Sequence, residues 1–159
     1  RLLYHMTENM ERYSSMDNTQ NNKLAYIAGF FDGEGSIMIY PLRKKEHPRL
    51  FVAVGNTSKE PLCIIKDVFG GSITHSTLYS GRTFYTWRAA NRKAETFIRH
   101  LYPFLRVKRE QAEFAFEFQK TVMITRNRRN GLPFGVESER DIIIGKLRNL
   151  NFSRKRHNA

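Results

Sequence analysis

A chain of 159 residues, 40% of them hydrophobic, carries apolar material for one domain and at that size buries roughly 70% of the surface its unfolded form exposes. Its 27 Lys and Arg against 15 Asp and Glu give a formal charge of +12, which suits a polyanionic partner whose phosphates release counterions on binding. No apolar run approaches the roughly 18 residues of a membrane span, and a lone Cys63 excludes an internal disulfide and a thiolate metal cluster, as suits a reducing compartment.

Residues 1–22 are polar and Met-rich, lack the pattern of a signal peptide, and read as a loosely attached extension. Asn22 is placed to cap a helix from Lys23 to about Phe31, which Gly33 and Gly35 end. Ile37 and Ile39 alternate with Ser36, Met38 and Tyr40, the period of a half-buried strand. After a basic turn with Arg43, Lys44 and Lys45, a second strand spans 49–54 with Leu50, Val52 and Val54 on one face. Leu62, Ile65 and Phe69 mark a helix over 59–69, stopped by Gly70 and Gly71. Strands over 72–79 and 83–90 follow, joined by a tight turn at Ser80 and Gly81. Helices are expected over 92–101, 108–121 and 138–150, the last capped by Ser138. A basic loop over 126–135 precedes that helix, and a basic tail over 153–159 follows it. The domain is thus expected to occupy 23–152.

Two features of the first helix resist explanation as ordinary packing. Ala25, Ala28 and Gly29 share one face at steps of three and four, where aromatic or branched side chains usually fill a core. Asp32 and Glu34 stand at the helix C-terminus, where the macrodipole disfavours anions by a few tenths to about 1 kcal/mol each. A helix packed against its copy from a second subunit accounts for both, because divalent ions then offset the paired carboxylates. The competing account is a surface helix with a Gly-rich end. Charge distribution sharpens the picture: between Gly35 and Ala94 the acids are only Glu46, Glu60 and Asp67.

The segment from Ile27 through Ala28, Gly29, Phe30, Phe31, Asp32, Gly33 and Glu34 to Gly35 resembles the motif of the LAGLIDADG homing endonucleases, and the order of elements agrees over about 22–122. The resemblance implies an α+β fold of αββαββα order, with a saddle-shaped antiparallel sheet over the DNA major groove and helices at the C-terminus. One motif per chain implies a homodimer that cuts both strands of a long, near-palindromic double-stranded DNA site, leaving staggered ends, as in intron homing. It further implies that Glu34 and the Gly33 carbonyl hold the metal, and that Lys108 and Asn56 assist catalysis, with Lys59 a second candidate for the place of Asn56. Asp32 would join Ala25, Ala28 and Gly29 at the dimer interface. Mg²⁺ is the implied ion, with Mn²⁺ an expected substitute and Ca²⁺ expected to bind without supporting cleavage.

Metal-activated water would attack the phosphodiester directly, and His47, His75 and His100 show no pairing that suggests a covalent route. Base reading falls to the sheet, because a two-stranded ribbon fits the major groove. Ser36, Met38 and Tyr40 share one face, as do Arg49 and Phe51, and Thr86 and Arg88. In the third strand His75 and Thr77 compete with Thr74 and Ser76. Arg43, Lys45 and Arg82, in turns, would reach outer bases or phosphates, and Arg126, Arg128 and Arg129 would meet phosphate or solvent. Neither a membrane nor a small-molecule substrate is expected, and the place of action is intracellular, in an organelle or the bacterial cytoplasm. The rival reading is a binding protein without catalysis, either an intron maturase or a DNA-binding regulator. A basic membrane-surface protein fits poorly, because the charge lies on strands rather than along one helix face.

Overall fold

The computed structural model describes residues 2–41, 47–125 and 135–157. Its first element corrects the expected boundary at Asn22: helix α1 runs unbroken from Leu2 to Glu34. No Pro occurs in this stretch and the first Gly is Gly29, so nothing in residues 2–28 forces the helix to stop, and Asn22 lies inside it rather than capping it. Strands β1 (Gly35–Tyr40) and β2 (Arg49–Asn56) follow, then α2 (Glu60–Phe69), β3 (Ser72–Thr77), β4 (Thr83–Ala90), α3 (Asn91–Leu101), α4 (Arg109–Thr125) and α5 (Val136–His157).

The sheet order is β1-β2-β4-β3 with every neighbouring pair antiparallel, so the two strand pairs meet through β2 and β4 at the centre. Its buried face carries Ile37, Ile39, Leu50, Val52, Val54, Trp87 and Ala89, and the helices pack there. Phe97 of α3 is the hub. Its ring lies 5.0 Å from Phe31 of α1, 4.9 Å from Phe69 of α2 and 4.8 Å from Trp87 of β4, joining three elements to a fourth. Such pairs add about 0.5–1.5 kcal/mol each beyond area burial.

The stop after α2 depends on backbone that ordinary residues rarely adopt. Gly70 and Gly71 have φ of 69° and 89°, and the Gly70 carbonyl accepts the Trp87 indole N–H at 2.8 Å. A Cβ on Gly71 would stand 2.6 Å from the Arg88 carbonyl oxygen and 2.8 Å from Trp87 Nε1. Gly71→Ala is therefore expected to destabilise the fold by about 2 kcal/mol, read as a lower urea midpoint with unchanged slope. Gly145→Ala on α5, whose new Cβ meets nothing within 4 Å, should be neutral or stabilising by up to about 1 kcal/mol.

Helix α5 begins at Val136 after Gly135, whose φ is 87°, and not at Ser138, which sits in the first turn. Buried Arg140 ties α5 to α4, its Nε donating to Thr121 Oγ1 at 2.9 Å and its Nη2 to the Thr121 carbonyl at 3.1 Å. Burial pushes this guanidinium below its ordinary pKa, and the Glu137 carboxylate pulls it back up. Further along, Gln111 of α4 donates to Asn151 Oδ1 at 2.5 Å, and Asn151 Nδ2 donates to the Ile37 carbonyl at 3.1 Å. An amide bridge thus covers part of the β1 edge, a place where an unpaired strand invites wrong partners. Helical backbone continues to His157, past the expected domain boundary at 152. Among the described residues no helix is long and apolar enough to cross a membrane.

Candidate active site and nucleic-acid interface

Helix α1 passes into β1 without a loop, Glu34 being the last helical residue and Gly35 the first of the strand. A Cβ on Gly35 would collide with the Phe31 ring and stand 2.6 Å from the Phe31 carbonyl oxygen, so the junction requires glycine. Ile27, Ala28 and Phe31 are fully buried on the inner side of the helix. Gly33 and Glu34 face solvent at its end, and a Cβ added to Gly29 or Gly33 would meet open space.

This arrangement corrects the assignment of Ala28 to a subunit interface and gives Asp32 a role within its own chain. Ala28 is 0% exposed inside its own domain, because the core stripe of α1 runs through positions 24, 27, 28 and 31, so it has no surface for a second chain. Ala25 and Gly29 do lie outside, beside Tyr26, which is 49% exposed. Asp32 is committed within its own chain. Its Oδ2 accepts the backbone N–H of Arg106 at 2.7 Å and of Val107 at 3.1 Å, and its Oδ1 accepts that of Lys108 at 2.9 Å. Those donors open α4, whose first helical bond runs from Ala112 N–H to the Lys108 carbonyl at 3.0 Å. The carboxylate occupies the positive N-terminal end of α4, where an anion is favoured.

Lys108 belongs to the same knot. Its residue is 8% exposed, its ammonium donates to the Asp32 carbonyl at 2.5 Å, and it stands 5.9 Å from the centre of the Phe31 ring. A cation at the C-terminal end of α1 is favoured by that helix's dipole. Two elements separated by more than seventy residues thus bring the Lys108 ammonium to the backbone of the residue before Gly33. Glu34 follows directly. Asn56 lies at the same end of the sheet, since Gly35 pairs with Val54, two positions earlier in β2. Its Oδ1 accepts the Ser58 N–H at 2.8 Å and so shapes the turn into α2, while the Lys59 ammonium lies 5.9 Å from the Tyr85 ring centre.

No group of three or more His, Cys, Asp or Glu able to hold a metal exists among the described residues. One exposed carboxylate and adjacent carbonyls form an incomplete set of hard oxygen donors, the kind that suits Mg²⁺, which keeps waters and takes phosphate oxygens as ligands.

Strand register sorts the open face of the sheet into cross-strand rows. Ser36, Ala53, Arg88 and Ser72 form one row, and Met38, Phe51 and Ala90 the next outward from the α1 junction. Tyr40 and Arg49 pair beyond them, and Gly55, Thr86 and Thr74 form the row nearer the junction. None of the four strands contains an Asp or Glu. The faces expected for β1, β2 and β4 agree with this placement.

In β3 the register settles the competition against His75 and Thr77. Ile73 pairs with buried Trp87 and His75 with Tyr85, so His75 and Thr77 belong to the helix-side face, while Thr74 and Ser76 share the open face with Thr86. Arg82 is exposed in the turn closed by Leu78 N–H to the Arg82 carbonyl at 2.8 Å. Arg43 and Lys45, and with them Arg126, Arg128 and Arg129, lie outside the described residues. Periodicity missed the capping role of Asp32. The spacing of a lone acid gives no sign of it, since its partners lie in a loop 74 to 76 positions away.

A family model described as LAGLIDADG endonuclease matches residues 27–121. Among solved structures, the homing endonuclease I-CvuI in complex with its target, in the presence of 2 mM Ca, superposes with a TM-score of 0.65 at 21% identity, covering 80% of this chain and 81% of that one. I-CvuI with the I-CreI target and 2 mM Mg gives 0.65 at 22% identity, covering 82% of each chain. The LAGLIDADG homing endonuclease I-GzeII, in complex with its DNA target, gives 0.63 at 21% identity, with 76% of this chain covering 43% of that one. No curated protein matches this chain.

Proposed function

Because the chain belongs to the LAGLIDADG endonuclease family, we propose that it is one half of a homodimeric enzyme that cuts both strands of a long, near-palindromic DNA site with the aid of divalent metal ions. The observation that carries this reading is the placement at one end of α1 of an exposed carboxylate, Glu34, and of the Lys108 ammonium clamped to the Asp32 carbonyl, next to a sheet face free of acids. A protein that only bound DNA would gain nothing from a carboxylate aimed at phosphate, and that weighs against the maturase and regulator readings.

Glu34 and the Gly33 carbonyl would hold the metal, Mg²⁺ by the chemistry of the donors, with two chains and the phosphate completing the set. When bound, such ions supply a water of lowered pKa and neutralise the charge that develops on the departing oxygen. Lys108 carries its positive charge to the phosphate from a fixed origin, which limits the reorganisation needed as negative charge builds. The open sheet face lies along the major groove and orients the duplex, so that the scissile bonds fall at the two α1 ends.

The outward stripe of Ala25 and Gly29 supports the dimer, since small residues allow two helices to approach closely. The test is cleavage of a duplex carrying the joined flanks of the host intron, with Mg²⁺ and with a chelator, alongside the mass of the protein on DNA. Cuts that need the metal, made by a species of two chains, are expected. Gly29→Leu adds a side chain where this chain has open space, so the monomer fold should keep its stability while dimer dissociation rises about 100-fold, from steric overlap counted on both helices. A dimer of unchanged strength by sedimentation would refute the α1 interface.

A further inference from the structure

Beyond stating that the sheet meets DNA, its rows define what it reads. Arg88 is exposed, and its cross-strand partners on the open face are Ala53 and Ser72, with Ser36 next in line. It is therefore the only side chain of its row with length and charge, and no strand offers a carboxylate to hold it back. A guanidinium presented in this way matches the two acceptors, O6 and N7, that guanine shows in the major groove.

The adjacent outward row is apolar: Met38, Phe51 and Ala90. Phe51 stacks on Tyr40 at 4.6 Å with the planes 19° apart, which fixes its ring, and Ser36 Oγ donates to Met38 Sδ at 4.0 Å. Half-buried, ordered apolar groups on a wet, polar sheet face have no core to serve. In the major groove the complementary group is the 5-methyl of a pyrimidine, the one apolar feature there. Alternate residues along a strand lie about 6.8 Å apart, close to two base-pair steps of about 3.4 Å.

We infer that each subunit reads a guanine through Arg88 and a 5-methylpyrimidine through the Met38–Phe51 row, with the methyl position about two base pairs farther from the cuts. This rests on the proposed DNA-binding function. Thymine and 5-methylcytosine share the methyl group, and the opposite base pattern separates them.

The test is selection of bound duplexes from a randomised half-site library, under Ca²⁺ so that binding is read without cutting, followed by affinity measurement on the selected site. Wild type should select a guanine and, about two positions outward, a thymine. Arg88→Ala should flatten the guanine preference alone, roughly 10- to 100-fold, the worth of a bidentate pair, with an unchanged thermal midpoint showing intact folding. Uracil in place of the outer thymine should weaken wild type about fourfold, one methyl group's worth, and leave Phe51→Ser unaffected. 5-Methylcytosine there should bind better than cytosine. Retained guanine preference in Arg88→Ala, or equal binding of uracil and thymine by wild type, would overturn the assignment while DNA binding stands. A protein that binds no duplex at all overturns the functional proposal, and this inference with it.

Discussion

Glu34→Gln is expected to lower the rate of DNA cutting by at least roughly 10³-fold, the scale of losing a group that stabilises developing charge, while affinity for the target stays within about threefold. The amide has the shape of the carboxylate but not its charge, and a neutral amide oxygen holds Mg²⁺ far more weakly than a carboxylate does. Its effect on folding runs the other way. Glu34 is exposed and stands at the C-terminal end of α1, where the dipole disfavours an anion, so removing the charge should raise stability by a few tenths of a kcal/mol up to about 1 kcal/mol. A variant that is slightly more stable and inactive is the signature of a carboxylate kept for chemistry. Wild-type cutting by Glu34→Gln, at matched DNA occupancy, would remove Glu34 from the mechanism and with it the metal site proposed here.

Asp32→Ala should act on stability and cleavage together. Three backbone N–H groups of residues 106–108 lose their shared charged acceptor, and hydrogen bonds to charged groups contribute more than neutral ones. Two of the three donors reach solvent, which limits the cost to roughly 2–3 kcal/mol, measured as a lower urea midpoint. Asp32→Asn should do little better, because its amide nitrogen would point one donor at another. Cleavage should fall further than the loss of folded protein explains, since the loop that starts α4 no longer fixes Lys108 at the end of α1. The check is a double-mutant cycle with Lys108→Met at a temperature where every variant is folded. If Asp32 acts through Lys108, the two losses in cleavage are smaller together than their product. Strictly multiplicative losses would leave Asp32 as a helix cap and no more.

Much of the fold was legible because apolar contrast is strong where the sheet is buried on one side. Ile37 and Ile39 alternate with the half-buried Ser36, Met38 and Tyr40, and their period and face follow from that; in β2, where Phe51 and Ala53 lie between Leu50, Val52 and Val54, the exposed Arg49 sets the parity. The α1–β1 junction was legible as well, since the two acids and the glycines at a helix end have few structural explanations. Its partners were not. Helix ends were the other weak point: the polar run before Lys23 reads as a loose extension by composition, yet it contains no residue that breaks a helix, and α1 continues through it.

Sequence alone settled the order of elements, the wet faces of β1, β2 and β4, and the identity of the carboxylate at the helix end. Each of these depends on neighbours within a few positions, the range over which periodicity, capping and turn chemistry operate. The tertiary structure alone decided the face of β3, the burial of Ala28 and the use made of Asp32. In β3 the run after Ile73 is Thr, His, Ser and Thr, with too little apolar contrast for a period to show, and pairing with β4 chooses the face. Ala28 is small enough for either a core or an interface, and Asp32 meets donors more than seventy residues away. Contacts of that range are made by packing, and no local pattern encodes them.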